Sequence, residues 1–483
     1  MKGLLKTLTF SLLFAFVVSA LLWWSILSHA RSELAERRAQ LAGAGEPLTI
    51  AELTGGAAPV GVETLRWLHA LPRTEHFRIH WSDRALHRLP DLDLAIAEER
   101  EGDNSTETLE ALERWRDLME SGDDEELPTL LNQLKSDTQA IGNPAFFGEA
   151  QRLALWLVSS DSETTRRYAQ EVRALTPCNL SARIAEEENA ASMFLSWRIR
   201  GRHQQLVRHF ARRALRPALE GDAEEAISRL DLAFHAAELE SEPDGVDWHL
   251  KRYDLHRKCL VRLSHLLPLL PLDADLAVIE ERLAAQDTHA DFLRALRCER
   301  VFGLRGLDAM RRGLYDWVED PDDWNHDSDD PTAPYSFRWT LDMTESSYLG
   351  LISDAIEELE ATWSKEGYRL PEPPSIGGPE LLGGLNVARG ALPRLENARY
   401  LARAHERMVL EARLALAIRR DGLEAARPAL ERAAASKGHE LFDIAEDGNG
   451  FLSLNTTNDG SGRRYHPAHP RSGEPWTWWI PLE

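Results

Sequence analysis

Between Leu8 and Leu27 the chain has no charged position, and this uncharged run of twenty residues is long enough to cross a bilayer as a helix. Trp23 and Trp24 stand near one end of it, where amphipathic rings favour a membrane interface. Lys2 and Lys6 precede the run while Arg31, Arg37 and Arg38 follow it, so counting basic residues does not fix the orientation. The short lysine-bearing tail before the apolar run has the form of a signal-anchor, with the amino terminus inside and the body outside. Residues 8–28 are therefore expected to hold the chain in the inner (cytoplasmic) membrane by a single pass, with the bulk of it extracytoplasmic. The alternative is a product secreted after cleavage following Ala30, because Ser28-His29-Ala30 fits a small-x-small cleavage pattern. The length of the run favours the uncleaved anchor.

Beyond the run the hydrophobic period is that of helices. Residues 32–41 continue as a polar helix that stops at "GAGEP", and "TIAE" from Thr49 has the spacing of a capping box. Leu206, Phe210 and Ala214 line one face of an arginine-rich helix, and Ala226, Leu230 and Ala233 one face of the next. The arginine-rich helix suits anionic headgroups or the chain's own acidic helices, and the second is preferred. Residues 214–244 look like one tetratricopeptide-type helix pair, and 418–435 have a similar cast. No 34-residue recurrence joins them, which leaves paired antiparallel helices without a true repeat array. A further helix is expected over 344–364. Then comes the proline-rich connector "GYRLPEPPSIGGPELLGG" and a long helix from Leu395 to Arg420. "FDIAEDGNGFLSLNTTNDGSGRRY" alternates and turns on Gly, Asn and Asp, the signature of a β-hairpin or small sheet. The expected fold is mainly α: an irregular array of antiparallel helix pairs, tetratricopeptide-like in places, after one transmembrane helix and before a small carboxyl-terminal β-hairpin. The expected division is an anchor (1–30), a helical body (31–319), an acidic loop (320–340), a second helical segment (341–436) and a β-rich end (437–483).

Composition narrows the function more than it names it. A net charge of −23 over 483 residues argues against nucleic acid, whose phosphates need a basic footprint. Cys178, Cys259 and Cys298 lie far apart with no C-x-x-C pair, so a thiolate zinc knuckle is not expected. A Cys259–Cys298 disulfide is open in an oxidising compartment, but small buried side chains are the preferred reading. The order of segments, with "GEPLTIAEL", "EGDAEEAISRLDLAFHAAELESEP", "FLRALRCERVFGL" and "LPRLENARYLARAHERMVLEARLALAIRRDG", resembles a group of uncharacterised bacterial envelope proteins. These have an amino-terminal anchor, a helical body and a short β-rich end like the tail of type II secretion pseudopilins. "GNGFLSLNTTNDGSG" is similar to the hairpin of that tail, while its Asp-Pro-aromatic motif has no counterpart here. The resemblance implies location and architecture and supplies no activity.

Candidate chemistry is sparse. No nucleophile elbow, phosphate-binding glycine loop or H-E-x-x-H occurs, so catalysis is not expected, and no catalytic or cofactor-binding residue is singled out. In "DPDDWNHDSDDP" the oxygens of Asp323, Asn325, Asp327 and Asp329 begin a calcium-loop pattern. Ser328 stands where the glycine belongs and Pro334 where the closing acid belongs. A solvated loop between Pro321 and Pro331 is the preferred reading, with weak or no calcium binding. His76, His80, Asp83 and His87 share one face if their segment is helical, and His249, His256 and Cys259 recur at about helical spacing. The first set would be a metal-ligand face, and a polar face on a short element is preferred for it; zinc suits the second set, for which packing against a neighbour is preferred. His466 and His469 read as a rigid turn. Trp476, Trp478 and Ile480 fall on one side of an extended strand. Exposed, the two rings would stack on glycan; buried, they pin the carboxyl end, and packing on the long helix near Leu410–Ile418 is preferred. The function expected is that of an anchored scaffold that binds other envelope proteins. The alternatives are a cell-wall-acting hydrolase and a glycan- or cation-binding module.

Overall fold

The computed structural model describes residues 2–71, 113–114, 116–117, 163–182, 195–240, 245–312, 341–363, 385–437, 442–446, 450–456 and 477–482. Among them are thirteen α-helices and one sheet of three strands. The first helix, α1 (Lys2–Gly43), is unbroken, so the apolar run and the polar stretch after it are one rod. Short helices α2 (Ile50–Thr54) and α3 (Val62–Ala70) follow, and α4 covers Glu163–Ala174. The body is then α5 (Leu195–Arg213), α6 (Leu215–Leu219), α7 (Ala223–Ala237), α8 (Val246–Leu266), α9 (Ala277–Ala284) and α10 (Thr288–Arg312). The last helices are α11 (Leu341–Thr362), α12 (Leu385–Asp421) and α13 (Leu423–Lys437).

Local chemistry sets several of these ends. Thr49 accepts from the Glu52 N–H while the Glu52 carboxylate accepts from the Thr49 N–H, completing the capping box at α2. Asp222 caps α7 by accepting from the Glu225 N–H, immediately after Gly221, whose φ of 82° favours glycine. Glu299 of α10 reaches across to accept from the Val246 N–H at the start of α8, 3.1 Å away. One boundary differs from expectation: α12 begins at Leu385, ahead of Pro393, since a proline removes one backbone donor without having to end the helix. Similarly, α13 carries Pro428 inside it.

Leu206, Phe210, Ala214, Ala226, Leu230 and Ala233 are all buried, as their spacing predicts. They belong to one large core that also takes Leu255, Cys259 and Leu263 of α8 and Met408, Ala412 and Ala415 of α12. A second core gathers Tyr253, Phe292, Ile352, Leu359, Trp363 and Leu395 from α8, α10, α11 and α12. The three cysteines are buried and unbridged. Cys259 lies in the large core, whereas Cys298 packs with Leu180 in a separate small cluster, so the Cys259–Cys298 bridge does not form.

The carboxyl end forms β1 (Phe442–Glu446), β2 (Phe451–Thr456) and β3 (Thr477–Pro481), antiparallel in the order β1-β2-β3. The expected hairpin is β1–β2, with Gly450 at φ 85° just before β2. The tryptophan strand adds to it, pairing Leu452 with Ile480 and Leu454 with Trp478. Trp478 and Ile480 face the large core.

Candidate functional site: the anchor junction and a buried ring chain

The apolar half of α1 is bare. Leu13, Phe16, Leu21 and Trp24 are all exposed, Trp24 at 67%. Large side chains in that number are costly to hydrate, and a hydrocarbon environment removes the cost. By length and hydropathy the helix is able to cross a membrane.

From Ala30 onward the same helix is packed against the body, mainly on α11. Arg38 pairs with the buried Glu345. Arg37 lies against Gly350, where an added Cβ would come within 2.7 Å of its guanidinium, so the close approach uses a glycine. Just past the helix, Glu46 receives two arginines of α10. Arg297 forks onto both of its oxygens at 3.0–3.2 Å and also reaches Glu360 at 2.8 Å. Arg300, only 1% exposed, donates to Glu46 at 2.5 Å and to the Pro47 carbonyl at 3.1 Å. Burial works to raise the Glu46 pKa, but the bonds from Arg297 and Arg300 outweigh it and hold the carboxyl below its ordinary value. Ile50 and Leu53 of α2 then pack against Leu180, Cys298 and Phe302. "GEPLTIAEL" is thus a staple joining the rod to the body. Its arginine partners lie some 250 residues away, which local spacing does not reveal.

The second feature joins the two cores. Phe234 of α7 lies edge-on to His256 of α8, and His256 lies 5.6 Å from His405 of α12 between ring centroids. His405 stacks on Tyr253 at 4.4 Å, and Tyr253 meets His249 edge-on at 4.1 Å. His249 touches Phe292 of α10, and Phe292 touches Trp363, just past the end of α11, on which His289 stacks at 4.6 Å. The Tyr253 hydroxyl donates to the Thr288 carbonyl at 3.1 Å. It therefore accepts from Nε2–H of His249, which puts a proton on that nitrogen. Burial, with Arg252 nearby, lowers the pKa of all three histidines, that of His405 to about 3.

His249 and His256 therefore line a packed interior, and Cys259, whose thiol burial pushes its pKa upward, lies in the large core beside them. Among the described residues no group of three or more His, Cys, Asp or Glu is placed to hold a metal. Sequence singled out His249 and His256 but missed Tyr253 and His405. Tyr253 sits between the two histidines on α8 with no motif, and His405 comes from a different helix. Asp323, Asn325, Asp327 and Asp329 lie outside the described residues, as do His76, His80, Asp83, His87, His466, His469 and Trp476. Trp478 is fully buried on α12 and offers no ring face to a glycan. In comparisons with protein-family models, curated proteins and solved structures, nothing matches the chain.

Proposed function

We propose that the chain is a single-pass, membrane-anchored scaffold of the cell envelope, its helical body held outside the cytoplasmic membrane to bind other envelope proteins. The observation that carries this reading is the continuity of α1, bare and apolar in one half and packed on α11 in the other, with Glu46 just past its end held by α10. A flexible tether would only localise the body. A rod clamped through Arg38–Glu345 and Glu46–Arg297–Arg300 also orients it, as a scaffold requires. Ala30 is buried where the rod meets the body, which favours an uncleaved anchor over a product cut after that residue. The resemblance to anchored envelope proteins points the same way. The tetratricopeptide-like character of 214–244 and 418–435 belongs to the same proposal, since a groove between paired helices is a common seat for a partner's helix.

Crosslinking in native membranes, followed by capture through a tag after Glu483, tests the scaffold directly. The expected result is a defined set of envelope proteins whose recovery falls when Arg300→Ala and Glu46→Ala loosen the clamp. Capture of cell-wall glycan alone, or release of soluble glycan fragments by the purified chain, would replace the scaffold with the binding-module or hydrolase reading.

A further inference from the structure

Two pairs of cations meet between α5 and α8. Arg208 and Arg212 stand one turn apart on α5, and Lys258 and Arg262 one turn apart on α8. The helices pack through Leu206 and Phe210 on one side and Leu255, Cys259 and Leu263 on the other. The flanking cations then lie within electrostatic reach of one another, Arg208 of Lys258 and Arg212 of Arg262. Arg208 is exposed, while Arg212, Lys258 and Arg262 are half-buried. The acid at this face is Asp254, already paired with Lys258 and Arg257. Arg262 donates to Nδ1 of His265 at 3.4 Å, and its Nε has no partner. Among the described residues no carboxylate pairs with Arg208, Arg212 or Arg262.

This is costly in a chain so rich in acid. The sequence has 79 Asp and Glu against 56 Lys and Arg. Like charges one turn apart and facing each other repel, more strongly where water is partly excluded. Burial and Arg208 bring the Arg212 pKa down to about 10, and burial and Arg212 bring that of Arg262 down to about 9. The fold keeps the repulsion although a single nearby glutamate would relieve it.

We propose that the Arg208–Arg212–Arg262 face is a binding site for a phosphoanion. Three cations that no carboxylate among the described residues pairs with call for a ligand of about two negative charges. Planar guanidinium forks match the several oxygens of a phosphate, whereas a carboxylate brings one charge and two oxygens. The same chemistry is found in a free phosphate and in the headgroup of an anionic phospholipid.

The test uses the full chain in non-ionic detergent, melted against inorganic phosphate at constant ionic strength, and separately in bilayers with and without anionic phospholipid. The site predicts a saturable rise in melting temperature, with phosphate if the ligand is free and with anionic bilayers alone if it is a headgroup. Arg212→Gln and Arg262→Gln should abolish that rise, yet melt no lower than the parent in phosphate-free buffer because repulsion is relieved. Arg212→Lys keeps the charge but loses the fork and should weaken binding about tenfold. No rise with either ligand overturns the site. So does destabilisation of both glutamine variants without ligand, which would mean that the chain's own acids neutralise the arginines.

Discussion

Replacing Trp478 by alanine is expected to lower the melting temperature by several degrees, the largest effect of any single substitution in the sheet. The ring is fully buried in the core that α12 supplies with Met408, Ala412 and Ala415, and its Nε1 donates to Glu411 at 3.1 Å. Truncating a buried tryptophan costs about 3–5 kcal/mol in lost contacts and residual cavity. The Glu411 carboxyl would also lose a donor inside the protein, adding roughly 1–3 kcal/mol. Burial already pushes Glu411 up to about 7, against the opposing pull of Arg407 and the Trp478 bond. Trp478→Phe separates the two contributions by keeping most of the ring and losing the N–H; it should show the smaller fall. Thermal melts read by circular dichroism decide the matter, and an alanine variant as stable as the parent would mean that β3 is not pinned to α12.

Mild acid is expected to destabilise the body through its buried rings. His249, His256 and His405 have folded pKa values lowered by burial, as does His209 on α5. The unfolded chain binds their protons near pH 6.5 and the folded chain does not. Their contribution to stability is whole above pH 6.5 and is lost as pH falls toward the folded values, at about 1.4 kcal/mol per unit for each histidine. The charged groups facing the chain of rings are Arg252 from α8, Asp291 and Asp287 at the start of α10, and Glu406 from α12. Glu411, raised by burial to about 7, slopes the other way, as do Glu238 and Asp291, also raised by burial, but four histidines outweigh them. Melting temperature should therefore fall steadily from pH 7 to pH 5. His405→Phe, which keeps a ring on Tyr253 and removes one proton site, should flatten the fall. A melting temperature that holds or rises toward pH 5 would contradict the assignment of these histidines as neutral.

What could be read in the sequence depended on how local the cause was. The capping box at Thr49 and Glu52 and the inward faces of α5 and α7 follow from spacings under one or two turns, and all are present. The alternation in "WTWWIP" put Trp478 and Ile480 on one side, which the sheet confirms, though the pairing of that strand with Leu452 and Leu454 had no local signal. Glu46 was legible only as part of a helix stop. Its meeting with Arg297 and Arg300 depends on how α10 lies against the rod, which no periodicity encodes. Likewise Arg208 and Arg212 stand out in the sequence only as part of an arginine-rich helix and Arg262 not at all, because it is the packing of α5 on α8 that brings their charges together.

The placement of the body outside the membrane bears most directly on the whole account. Two reporters, one active only outside the cytoplasm and one only inside, are fused in turn after Glu483 in the full chain and assayed in intact cells. Activity of the external reporter from the membrane fraction, with silence of the internal one, is the predicted result. Activity of the internal reporter alone would contradict it, putting the clamped body on the cytoplasmic side and removing the envelope partners that the scaffold is proposed to bind.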